Sequence, residues 1–201
     1  MTALGFDALA ERVRAQFPAV QAQKSDNGQP FLLVPARDLP AVARFCRDDQ
    51  ALRFDALMDL TGYDLLKYPA TPPSTAIAVV YLLFSYVQKH KLCLKVLAPR
   101  ELCEVPTATA VWPAAIYFER EVFDLLGVRF TGHPSLRRIM TPDDWTGHPL
   151  RKDYVYPADY HGIAHLRDGQ HFESAPPRQG DPQLGDPPAS APAAPAKGHH
   201  A

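Results

Sequence analysis

The 201-residue chain is poor in cysteine and carries almost no surplus charge. Its three cysteines, Cys46, Cys93 and Cys103, are widely spaced and form no C-x-x-C pair. An odd, scattered set argues against a disulfide framework and fits a reducing compartment. It also argues against an iron–sulfur cluster, which needs four clustered ligands. The net charge of −1 supplies no global field toward nucleic acid or anionic lipid, so electrostatic recognition has to be local. The longest apolar run, residues 76–87, is too short to span a bilayer. The N-terminus "MTALGFDALAERVRAQFPAV" has early acids and no apolar h-region, unlike a secretory signal. It also lacks an Arg/Ser-rich transit pattern, which favours a bacterial-type cytoplasmic setting. No glycine-rich phosphate loop, G-x-G-x-x-G, G-x-S-x-G or H-E-x-x-H occurs.

What is present is an ordinary globular composition, 46% hydrophobic and 21% charged, long enough for one domain with a real core. Proline, at 21 residues, is about twice the usual share and concentrates after Ala175. Phe6, Leu9, Ala10, Val13 and Phe17 recur at helical spacing, which predicts a helix over 6–16 closed before Pro18. "PFLLVP" reads as a short strand. Asp38 stands at an N-cap with Pro40 in the first turn, opening a helix that buries Leu39, Val42, Phe45 and Cys46.

"RFDALMDLTGYD" alternates, placing Phe54, Ala56, Met58 and Leu60 on one face of a half-exposed strand that ends at Gly62. After the connection "YPATPPST", 76–87 reads as an apolar strand. "QKHK" reads as a turn, and "LCLKVLAP" as the antiparallel partner with Leu92, Leu94 and Val96 inward and Lys95 outward. Pro113 and Gly127 bracket a further helix whose Ile116, Tyr117, Phe123, Leu125 and Leu126 can pack inward. The fold expected is α+β: helices packed on a mostly antiparallel sheet, then a helix and a long irregular C-terminal segment. The organisation expected is an α+β domain over 1–127, an extended partner-docking segment over 128–159 and a mostly flexible Pro/Ala-rich tail over 160–201.

The chemistry-bearing residues crowd into "FEREVFDLLGVRFTGHPSLRRIMTPDDWTGHPLRKDY", residues 118–154. Gly-His-Pro occurs there twice. His133 and His148, with Asp143 or Asp144, could form the ligand set of a stand-alone metal enzyme. The preferred reading is a pair of turns, because glycine permits unusual φ and proline holds the preceding residue extended. Arg137, Arg138, Arg151 and Lys152 could meet phosphates and Trp145 or Tyr154 could stack bases, but acids interrupt every basic cluster. Arginine and aromatics in a partly apolar strip suit a protein interface better. Glu119, Arg120 and Glu121 fan over about 200° of a helix, so they cannot all face one site. Arg120 and Asp124 are an i,i+4 pair worth about 0.3–0.5 kcal/mol if exposed.

The same stretch closely resembles the signature region of the 30 kDa-type subunit (the C subunit) of proton-pumping NADH–quinone oxidoreductase, respiratory complex I. The resemblance is carried by Trp112, Glu119-Arg120-Glu121, Asp124-Leu125, Gly127, Phe130, Gly132-His133-Pro134, Leu136-Arg137-Arg138-Ile139 and Gly147-His148-Pro149-Leu150-Arg151-Lys152-Asp153. It covers roughly residues 6–156. It implies a non-catalytic member of the hydrophilic arm that binds no cofactor, with FMN and Fe-S clusters in partner subunits carrying electrons from NADH to quinone. It implies docking on the quinone-site D subunit and its neighbours, no nucleic acid, and a peripheral position on the cytoplasmic side of the bacterial inner membrane. The candidate interface is Glu119, Arg120, Glu121, Asp124, His133, Arg137, Arg138, Asp143, Asp144, Trp145, His148, Arg151, Lys152, Asp153 and Tyr154. The equivalent scaffold of a membrane-bound hydrogenase-type complex, or one with another donor, is the alternative that the resemblance leaves open.

Overall fold

Helical spacing and strand alternation sort the chain much as expected. The structure, a computed structural model, describes residues 4–25, 27–66, 75–157 and 159–164. Helix α1, Phe6–Gln16, buries Leu9, Ala10 and Val13. Strands β1, Gln21–Lys24, and β2, Pro30–Leu33, follow, and a 3-10 turn over Ala36–Asp38 runs straight into α2, Leu39–Asp48. Asp38 sits at the N-cap position but its side chain makes no cap bond. The reason is local: the turn holds Asp38 in helical φ and ψ, whereas a capping side chain needs an extended backbone. In α2, Leu39, Val42, Ala43 and Cys46 are buried and Phe45 packs partly against them.

Strands β3, Ala56–Asp64, β4, Ile77–Phe84, and β5, Lys91–Ala98, complete a sheet of order β1-β2-β5-β4-β3. Its pairings are antiparallel except β2 with β5. Ile77, Val79, Tyr81 and Leu83 of β4 and Leu92, Leu94 and Val96 of β5 face the helices. Lys95 points the other way, its ammonium 3.7 Å from the Phe31 ring centre.

Two expectations for β3 need correction. A bulge between Leu57 and Asp59 shifts the register, so Leu57 and Leu60 are buried while Met58 is 59% exposed. The strand also runs through Gly62 to Asp64, which is buried. Gly62 is required there by close approach. A Cβ would lie 2.7 Å from Leu126 Cδ1 and 3.1 Å from Val122 Cγ1, on the third helix.

That helix, α3, spans Ala115–Leu126. Around it, β6, Glu104–Pro106, and β7, Arg129–Thr131, form a separate parallel pair. Neither β1 nor this pair is legible beforehand: β1 is wholly exposed, and β6 and β7 are three residues each. A single apolar core joins the three helices to the sheet and to Val105 and Phe130 of the small pair. The Trp112 indole donates to the Phe54 carbonyl at 2.8 Å inside it.

Met1–Val155 make one compact unit, and a second begins at Tyr156. In the second, β8, Asp159–Tyr160, pairs antiparallel with β9, Ile163–Ala164. The Pro-rich connection falls almost wholly, and the Pro/Ala tail mostly, outside the described residues.

Candidate functional site

Successive helical residues are about 100° apart, so Ala115, Glu119, Val122 and Leu126 share one face of α3 while Arg120 and Asp124 lie on the opposite side. The first face is buried against the sheet. Asp124 is also fully buried, so something covers the far side. The cover is the segment that follows β7, here called the strap.

The strap begins beside the start of α3. Ser135 N–H donates to His133 Nδ1, and His133 Nε2–H donates to the Ile116 carbonyl at 3.0 Å. It then runs forward along the helix. Arg120 donates to the carbonyls of Arg137 and Arg138 at 3.2 and 3.1 Å. Three successive amides, of Ile139, Met140 and Thr141, donate to Asp124 Oδ2 at 2.9, 2.7 and 2.8 Å. The Thr141 hydroxyl and Arg138 Nη1, the latter at 2.6 Å, donate to Oδ1. Burial alone would raise the Asp124 pKa, but the Thr141 hydroxyl and these backbone donors together hold it well below the usual carboxylate range. The expected Arg120–Asp124 pair is therefore replaced. Asp124 pairs with Arg138, and Arg120 holds strap carbonyls instead, because the strap lies over both.

The second Gly-His-Pro turn does a different job. The last four carbonyls of a helix have no partner within it. Here Phe123 O receives Gly127 N–H at 2.8 Å, and Asp124 O receives His148 Nδ1–H at 2.8 Å. Leu125 O receives Leu150 N–H at 3.0 Å, and Leu126 O receives Arg151 Nε–H at 2.7 Å. "GHPLRKD" is thus the C-cap of α3 delivered from more than twenty residues downstream. Arg138 and Arg151 also place positive charge at the negative end of the helix dipole. Burial, with Arg151 and Arg138 adding to it, lowers the His148 pKa, so the ring caps as a neutral donor near pH 7. Gly127 takes φ +74°, and a Cβ there would lie 2.5 Å from both Arg151 Nη2 and His148 Cδ2.

The strap's end is fastened to the sheet. Asp64, at the end of β3, accepts Arg100 Nη1 at 2.6 Å and the amides of Leu66 and Lys152 at 2.9 Å each. Arg100 reaches on to Asp153. Burial opposes the Asp64 charge, but Arg100 and the two amides keep its pKa below the ordinary value. The Tyr154 hydroxyl donates to the Thr146 carbonyl at 3.0 Å. Asp64, Arg100 and Thr141 were not among the candidates. Apart from the local Asp64–Leu66 bond, each is remote in sequence from what it holds, and no spacing rule connects them.

Glu119 turns the other way, into the core, where it is fully buried. Oε1 accepts the Ala108 amide at 2.7 Å and Oε2 the Thr107 hydroxyl at 2.6 Å. Burial raises its pKa to about 7 against the pull of these two donors.

The candidate residues therefore separate into two groups. Glu119, Arg120, Asp124, His133, Arg138, His148, Arg151, Asp153 and Tyr154 hold the chain to itself. Glu121, Arg137, Asp143, Asp144 and Lys152 are exposed, and Trp145 is half-buried. Beside them the strap and α3 expose apolar surface: Tyr117 at 64%, Met140 at 61%, Leu150 at 53% and Ile139 at 41%. Tyr117, expected to pack inward, points out because it stands about 160° round the helix from Glu119. His133 uses both ring nitrogens on the chain itself, which removes it from the metal-enzyme reading. Among the described residues no three His, Cys, Asp or Glu are arranged to hold a metal.

Residues 32–160 match the family model of the respiratory-chain NADH dehydrogenase 30 kDa subunit. The NADH-quinone oxidoreductase C subunit of Roseiflexus sp. (strain RS-1) is 44% identical over 144 residues, 71% of this chain and 80% of the relative. The same-named protein of Caulobacter vibrioides is 42% identical over 146 residues, 73% of this chain and 71% of the relative. Among solved structures, a trypsin-resistant fragment of Nqo5 superposes with a TM-score of 0.54 at 31% identity, covering 65% of this chain and 98% of the fragment. A chain of the membrane-bound sulfane sulfur reductase, an archaeal respiratory membrane complex, shares the fold with a TM-score of 0.60 at 22% identity, over 76% of this chain and 86% of that one. The signature expected from the sequence and the strap it builds thus fall within one matched region, and the chain belongs to the 30 kDa subunit family of complex I, the C subunit of NADH–quinone oxidoreductase.

Proposed function

We propose that this chain is a non-catalytic member of the hydrophilic arm of a proton-pumping NADH–quinone oxidoreductase, docked on the quinone-site D subunit and its neighbours. FMN and Fe-S clusters in other subunits then carry electrons from NADH to quinone, and this chain holds the geometry that sets their distances. The carrying observation is how the signature residues are used. The buried carboxylates and most of the arginines bind backbone of the same chain, which suits a scaffold better than a reaction centre. The surface left for a partner is the outward side of the strap and α3, with Tyr117, Ile139, Met140 and Leu150 among exposed charges. No helix among the described residues is long and apolar enough to cross a membrane. In this reading the chain is therefore peripheral, on the cytoplasmic side, and reaches the membrane through its partners.

The fold also occurs in another respiratory membrane complex, so fold alone does not select the electron donor. The relatives named for NADH and quinone, at 38–44% identity, favour NADH over a hydrogenase-type scaffold. The test is affinity capture of the chain from native membranes in mild detergent, with mass spectrometry of what accompanies it. Co-recovery of the quinone-site D subunit with the flavin and Fe-S subunits is the expected result. Recovery of a hydrogenase set would change the donor, and recovery of the chain alone from the soluble fraction would overturn the scaffold reading.

A further inference from the structure

Glu119 is a carboxyl with no ion pair among the described residues, inside the core rather than on the strap side of α3. Its contacts are neutral: the Thr107 hydroxyl at 2.6 Å and the Ala108 amide at 2.7 Å. Thr107 Oγ1 is also 2.9 Å from Thr109 Oγ1 and accepts the Thr109 amide at 3.2 Å. One hydroxyl proton cannot serve both Glu119 and Thr109. With Glu119 protonated, its acid proton goes to Thr107 Oγ1 and the Thr107 proton goes on to Thr109. With Glu119 ionised, Thr107 must turn its proton back to the carboxylate.

On β4, the buried Tyr81 hydroxyl has no hydrogen-bond partner among the described residues. Burial first, and the Glu119 charge second, push its pKa well above the usual value, so the phenol stays neutral and close enough to feel that charge. Tyr81 is the titratable group facing Glu119 from the sheet, and Thr107 and Thr109 are the polar groups facing it from the loop after β6.

The corner that Glu119 holds is the root of the strap. Thr107 N–H donates to Thr131 O at 3.0 Å, at the end of the β6–β7 pair, and a Cβ on Gly132 would touch Thr107 Cγ2. We propose that Glu119 is a proton-operated latch: protonated, it ties the Thr107–Thr109 corner and the strap's root to α3, and on losing its proton it becomes a buried charge without a counter-ion, whose escape toward water outweighs the pull of the Thr107 and Ala108 donors and loosens that corner. The raised Glu119 pKa, about 7, puts the change within the physiological range. The latch concerns the chain by itself and does not depend on the docking proposed above.

The experiment uses the full chain with carboxyl-labelled glutamate. NMR titration from pH 5 to 9 is expected to show one glutamate titrating near neutrality, absent in Glu119→Gln. Amide exchange at Ala108, Thr109 and Thr131, corrected for intrinsic base catalysis, is expected to accelerate several-fold as pH rises toward that midpoint and to level off above it in the natural chain, and to stay flat in Glu119→Gln. A Glu119 signal titrating in the ordinary range, or the same acceleration in Glu119→Gln, would overturn the latch. Should Glu119→Gln not fold, Thr107→Val provides the second arm. Removing the hydroxyl that donates to the anion moves the Glu119 midpoint upward, and an unmoved or lowered midpoint would reject it.

Discussion

Asp124 and Arg138 meet at 2.6 Å on the side of α3 that faces away from the sheet, Asp124 fully buried and Arg138 partly so. Breaking a buried, hydrogen-bonded pair by removing one partner costs about 3–5 kcal/mol. Asp124→Ala is expected at the upper end, since three strap amides lose their acceptor as well. Arg138→Ala is expected at the lower end. Urea unfolding of both variants measures this, and the double variant should cost less than the sum of the singles.

Gly127→Ala combines a left-handed backbone with a Cβ inside the Arg151 and His148 side chains. The backbone alone costs an L-residue roughly 1–2 kcal/mol. Displacing the cap should add to that, and loss of protection at the Leu150 amide by hydrogen exchange would distinguish uncapping from simple strain.

Gly62→Ala places a methyl 2.7 Å from Leu126 Cδ1. Overpacking of this kind costs about 1–3 kcal/mol. Leu126→Ala in the same chain is expected to recover part of the loss, read as a thermal midpoint above that of the worse single variant.

Acid and base act on different carboxylates with opposite sign. Asp64 and Asp124 have depressed pKa values in the folded chain, so their stabilisation is present above the ordinary carboxylate range and is lost as pH falls through and below it. Glu119 has a raised one, so its contribution is full below the ordinary range and is lost as pH rises through about 7. Stability is therefore expected to peak between the two, in mildly acid solution. Glu119→Gln should flatten the alkaline side only, as denaturation midpoints from pH 3 to 9 would show.

Arg137 and Arg151 separate docking from folding. Arg151→Glu removes a helix cap and should lower stability before any partner is considered. The exposed Arg137 side chain can be reversed at a cost within about 0.5 kcal/mol. Arg137→Glu, combined with Met140→Asp, is expected to leave the isolated chain folded by circular dichroism while lowering recovery of partner subunits. Undiminished recovery would move the interface elsewhere on the chain.

The amino-acid sequence by itself determined α1, α2, α3 and the β4–β5 hairpin. In each, local period and punctuation agree with what the core demands: apolar residues every three to four positions or every second one, proline near a helix start, glycine at an end. It also carried the family signature. Tertiary structure decided what the signature residues do. Asp124 looks like half of a surface i,i+4 pair and is the buried anchor of a strap. Glu119 stands five residues before it and faces the opposite side of the same helix. Met58 leaves its expected face because a one-residue bulge reverses alternation. A side chain's partner is set by where the rest of the chain returns, and residues such as Asp64 and Lys152 meet across 88 positions. That return is dictated by summed burial of the core, not by any spacing within the motif.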